Sequence, residues 1–138
     1  MAEPAIYEKF SATVRIMGRI QDMSMIGMRL GLEPTQVHRR GEAVEGTEER
    51  YGLDSWEITA AVTPDRPVED HIAWLRTRLL PRGYVLKDIK TALDVDLLLE
   101  YRSNNRLGGF SMSPKAFAWL VEMSIDIQVA VTIEDGAH

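Results

Sequence analysis

The sequence predicts an α+β fold: a mainly antiparallel sheet of ferredoxin-like βαββαβ order, extended by a C-terminal αβ unit, with its helices on one face. Three observations carry this. The stretch Ile125 to Ile133 alternates without a fault, with Ile125, Ile127, Val129, Val131 and Ile133 on one side and Asp126, Gln128, Ala130 and Thr132 on the other. That period of two marks a strand with one buried face. Segments of helical spacing, bounded by caps and prolines, separate such strands. Finally, the strands are half polar, whereas the strands of a parallel sheet covered on both sides read as continuous apolar runs.

The first strand is Phe10 to Gly18, with Phe10, Ala12, Val14 and Ile16 inward. Asp22 is then placed to cap a short helix carrying Met23, Ile26 and Leu30, which Gly31 ends. Gln36 to Arg39 reads as a short edge strand. Gly41 to Gly52, rich in glycine and acidic residues, reads as a solvated hairpin loop. The next strand spans Asp54 to Val62, with Trp56, Ile58, Ala60 and Val62 inward. A turn through Pro64 and Pro67 leads to a helix at Val68, whose apolar row is Val68, Ile72, Leu75 and Leu79 and which Pro81 stops. Tyr84 to Leu93 reads as a second, weaker helix. Val95, Leu97, Leu99 and Tyr101 form the inward face of the following strand. Ser113-Pro114 has the form of an N-cap with proline at the first helical position, ahead of Phe117, Leu120 and Val121. At 138 residues the chain is expected to be a single domain over 1–138, with frayed tails at 1–5 and 134–138.

Composition narrows the function. There is no cysteine, which removes disulfides and thiol chemistry and leaves only His, Asp and Glu as metal ligands. A net charge of −5 with a pI near 5.2 argues against general affinity for nucleic acid or an anionic membrane. No apolar run approaches the roughly 20 residues of a membrane helix, and the N-terminus lacks the apolar core of a signal peptide. A cytoplasmic location follows as the expectation. No cofactor motif is present, and none is expected to bind.

The motifs Phe10-Ser-Ala-Thr-Val-Arg-Ile16, Leu30-Gly-Leu-Glu-Pro-Thr35, Trp56 and Gly108-Gly-Phe-Ser-Met-Ser113, followed by a helix and a final Ile-Asp-Ile strand, stand in a characteristic order. In this the chain resembles an uncharacterised bacterial family, the domain of unknown function numbered forty-two seventy-nine, from about Tyr7 to Ile133. The resemblance implies a small bacterial α+β domain. The family carries no assigned activity, so no catalytic residue is transferred. Gln128 departs from the pattern, at a position often acidic or apolar.

Candidate sites are few. His38 and His71 lie on different elements without HxH or HExxH spacing, and read as surface or partly buried histidines rather than metal ligands. No GxSxG elbow is present, and no catalytic residue is assigned. Arg102, Arg106, Gly108, Gly109 and Ser113 bring basic side chains and a glycine turn to a helix N-terminus, where an anion could bind. The plainer reading, and the favoured one, is that Gly108-Gly109 permits a tight turn with Phe110 plugging the core beneath it. The helix-free sheet face collects Arg15, Met17, Glu57, Leu98 and Glu100, a candidate interface for a second copy of the chain or another protein. The leading functional reading is a non-enzymatic protein-binding module, immunity-type or regulatory. The alternatives are a small-molecule or anion-binding domain, and an enzyme with a carboxylate site around Glu57, Glu100 and Asp126.

Overall fold

The computed structural model of the protein describes residues 5–134; the tail positions 1–4 and 135–138 lie outside the described residues. Its elements run β1 (Glu8–Gly18), α1 (Met23–Leu30), β2 (Gln36–His38), β3 (Asp54–Thr59), α2 (Val68–Leu79), α3 (Gly83–Ile89), β4 (Asp94–Ser103), α4 (Pro114–Met123) and β5 (Asp126–Ile133). A 3-10 turn, Leu80–Arg82, joins α2 to α3.

The five strands form one sheet in the order β2-β3-β1-β4-β5. β1 lies at its centre, antiparallel to β3 on one side and β4 on the other, so Val14 stands opposite both Ile58 and Leu97. β2 pairs antiparallel with β3, and β5 pairs parallel with β4. The sheet is α+β and mainly antiparallel, as expected, but its order is not that of a plain four-stranded ferredoxin-like sheet. Helix α4 carries the chain back to the start of β4, so β5 must run parallel to β4. It takes the outer edge because both sides of β1 are already filled.

One core lies between the sheet and all four helices. Ala12, Val14, Ile16, Trp56, Ile58, Leu97 and Leu99 form its floor. Val68, Ile72, Leu75 and Leu79 of α2 are buried above them, the row that helical spacing marks out. Helix α1 has the anticipated ends: the Asp22 carboxylate accepts from Ser24 N, and Gly31 closes the helix at φ 70°.

Three details differ from the sequence reading. β3 stops at Thr59, because the chain turns at Pro64, whose carbonyl accepts from Phe10 N at 2.8 Å. β2 stops at His38, because the next two amides turn to side chains: Arg39 N donates to Glu42 and Arg40 N to Asp54. The α4 face is rotated. Trp119, Leu120 and Met123 are buried, while Phe117 is 42% and Val121 73% exposed. The tails expected to fray, 1–5 and 134–138, lie outside the described residues except for Ala5 and Glu134. Ala5 O accepts from Asn104 Nδ2 at 3.0 Å, and Glu134 N donates to Ser103 O at 2.8 Å.

Candidate functional site

The helix-free face is built from the alternate residues of the strands. On β1 these are Thr13, Arg15 and Met17; on β3, Ser55, Glu57 and Thr59; on β4, Asp96, Leu98 and Glu100. Register places Arg15 between Glu57 and Asp96. Its guanidinium forks onto Asp96, Nε to Oδ1 at 2.8 Å and Nη2 to Oδ2 at 2.6 Å, and Nη2 also donates to Gln128 Oε1 at 2.9 Å. The Asp96 hydrogen bonds raise the Arg15 pKa above its ordinary value, against the opposing effect of burial.

Glu57 is the unexpected member. It faces the helix-free side, as its strand parity requires, yet it is buried. One oxygen accepts from Ser55 Oγ at 2.7 Å and the other from Gln36 Nε2 at 2.9 Å; His38 Nε2 stands 3.8 Å away, its ring stacked on Tyr51 at 4.0 Å. β2 and the loop after it therefore cover this carboxylate. A buried carboxylate needs such donors, and these occupy both of its oxygens. The carboxylates proposed for acid–base work are not brought together. Glu57 lies on β3, Glu100 on β4 and Asp126 on β5, and β1 separates the first from the other two. Among the described residues no group of three or more His, Asp or Glu side chains is placed to hold a metal ion. Nor are Met17 and Leu98 an exposed patch, since each is half-buried.

The Arg102–Ser113 segment is likewise occupied. Arg102 Nε lies 3.1 Å from Glu134 Oε1. The Ser113 N–H donates to the Glu69 carboxylate of α2, so a protein anion already stands at this helix start, and Ser113 Oγ caps Ala116 N. Gly108 is required by space: a Cβ there would meet Tyr101 Oη at 2.6 Å. Phe110 packs on Phe10 and Tyr101, with centroids at 5.6 and 5.3 Å. Gly109 and Arg106 lie on the exposed part of the turn.

His71 is fully buried in α2, in place of the partly exposed position expected of it. Burial lowers its pKa; backbone groups of Arg66 and Thr63 and the charge of Asp70 pull the other way. Neither ring nitrogen has a partner at hydrogen-bond distance. The backbone pull is therefore weak, and the direction set by burial stands.

Two surfaces were not found from sequence. The first is the outer edge of β5. Val129, Val131 and Ile133 lie on the helix side of the sheet, in register with Leu99, Tyr101 and Ser103, yet they are 48%, 58% and 39% exposed. On α4, Lys115 and Ala116 border a cleft shared with α2. Helical spacing turns Phe117 and Val121 to the flank away from that cleft, where both are exposed. The second is a groove of about 530 Å³ between α1 and β2, walled by Met23, Met28, Leu32 and Val37 over Trp56.

The family model described as Domain of unknown function (DUF4279) matches residues 8–134, nearly the whole chain. The chain belongs to the DUF4279 family. No curated protein and no solved structure matches this DUF4279 chain. Among the described residues of this family member, no helix is long and apolar enough to cross a membrane.

Proposed function

We propose that this DUF4279 chain is a non-enzymatic protein-binding module, and that its binding surface is the open edge of β5 together with the adjoining flank of α4. The observation that carries the reading is the exposure of Val129, Val131 and Ile133 along a strand that, among the described residues, has one neighbouring strand. An open edge offers backbone donors and acceptors to an added strand, and alternate side chains supply apolar contact. The helix-free face offers less, because Arg15 and Asp96 are engaged with each other and both Glu57 oxygens are occupied. The cysteine-free, acidic composition suits a cytoplasmic setting. The test is a photo-cross-linking residue at Val129, compared with the same residue at Thr77 on the exposed side of α2. The expected result is a discrete adduct from position 129 alone. Adducts from neither position, or equally from both, would remove the reading.

A second reading, small-molecule binding, is favoured by the groove between α1 and β2. Its walls are apolar, and the indole N–H of Trp56 beneath them has no hydrogen-bond partner. A ligand with an apolar body and one acceptor group suits it. Titration with short-chain amides should then shift the Met23 and Met28 methyl resonances; unmoved resonances would dismiss it.

A further inference from the structure

We propose that the open edge of β5 pairs with β5 of a second copy of this chain, antiparallel about a two-fold axis perpendicular to the sheet, with the two α4 helices meeting above the join. This names the partner of the surface proposed above and rests on that reading.

The two edges of the sheet differ. β2 is three residues long, too short to template much pairing. β5 has eight residues and, from Ile127 to Ile133, contains no charge, proline or glycine, the usual devices that blunt an edge.

The β5 sequence is complementary to itself. A perpendicular two-fold axis keeps the faces of both copies aligned, so paired residues share strand parity. Centred on Ala130, it sets Val129 opposite Val131 and Ile127 opposite Ile133 on the helix side. On the other side it sets Gln128 opposite Thr132. These are apolar–apolar and polar–polar pairs. Asp126 falls opposite Glu134 at the ends, where Glu134 is already engaged by Arg102 and by the Tyr7 hydroxyl.

The α4 flank singles out a second copy over an isolated strand. A lone added strand would cover the edge and leave Phe117 and Val121 exposed. A copy related by the two-fold brings its own Phe117 and Val121 against them, above the Val129 and Val131 pairs. An isologous contact of this kind also closes on itself, so the edge is consumed without fibre growth.

The experiment is sedimentation velocity across the micromolar range on the wild type, Val131→Lys and Leu98→Lys, with circular dichroism as the folding check. Val131 is exposed, so lysine there should leave the fold intact. The expected result is a wild-type dimer, a Val131→Lys chain that associates at least tenfold more weakly with an unchanged spectrum, and a Leu98→Lys chain that still dimerises. If Val131→Lys loses its fold, Val121→Lys on α4 reads the same contact. A wild type that stays monomeric overturns self-pairing; adducts from position 129 to a different protein would then leave the protein-binding reading standing. Dissociation by Leu98→Lys but not by Val131→Lys would place the contact on the polar face and overturn the proposal.

Discussion

Arg15 and Asp96 are joined across β1 and β4 by two hydrogen bonds, of 2.8 and 2.6 Å, in the fork geometry that matches a guanidinium to a carboxylate. Both side chains are mostly buried, at 20% and 15% exposure. The pair therefore holds the central and fourth strands in register and neutralises the middle of the helix-free face.

Asp96→Ala removes one partner and leaves a partly desolvated cation. A cost on the order of 1–2 kcal/mol is expected, above that of an ordinary surface pair. Urea unfolding of Arg15→Ala, Asp96→Ala and the double variant isolates the coupling. A coupling energy near zero would mean that the fork is incidental.

His71 gives the fold a dependence on mild acid. Its folded pKa lies below its ordinary value because it is buried. The unfolded chain therefore takes up the proton first, and folding stability is fully present only above the unfolded value of about 6.5. It falls as the pH drops below that value toward the folded pKa. Thermal melts stepped from neutral pH to about 5, above most carboxylate titration, should show Tm declining in the wild type. His71→Leu should flatten that slope. An equal slope in both proteins would assign the acid sensitivity to other groups.

Gly27 lies within α1, where alanine ordinarily stabilises by roughly 0.5–1 kcal/mol. Here a Cβ would meet the backbone oxygen of Leu32 at 2.7 Å, closer than real contacts allow. Leu32 N donates to Gly27 O at 3.0 Å, which fixes that approach. Gly27→Ala is therefore expected to destabilise, by about 1–3 kcal/mol, reversing the usual sign. A raised Tm would show that the α1–β2 connection yields.

Features set by neighbours along the chain were legible. Asp22 and Gly31 bound α1, Ser113-Pro114 opens α4, and the Val68, Ile72, Leu75, Leu79 row faces the core, because caps and helical spacing act within a turn or two. His71 carried a readable signal as well: it stands three residues after Val68 and four before Leu75, within the same apolar face. What depends on strand order was not legible. The alternation in Ile125 to Ile133 is the same for a central strand as for an edge, so it could not show that only Ile125 is buried and Ile127 partly covered. Phe117 and Val121 fit a helical row toward the sheet, but Trp119, Leu120 and Met123 take that place and leave both exposed. Glu57 shows the same limit, since its burial depends on Gln36 and His38 of a strand that pairs with it from twenty residues earlier in the chain. In each case the deciding contact is a long-range pairing, which local pattern does not encode.

The most direct measurement is amide hydrogen exchange along β5 at a dilute and at a concentrated protein level. Pairing with β4 protects only the inward half of the β5 amides, whatever the concentration. If β5 is the contact strand, the outward amides between Ile127 and Ile133 should exchange at least tenfold more slowly in the concentrated sample, while those of β2 stay unchanged. Outward β5 amides that exchange equally fast at both concentrations would contradict self-pairing at this edge.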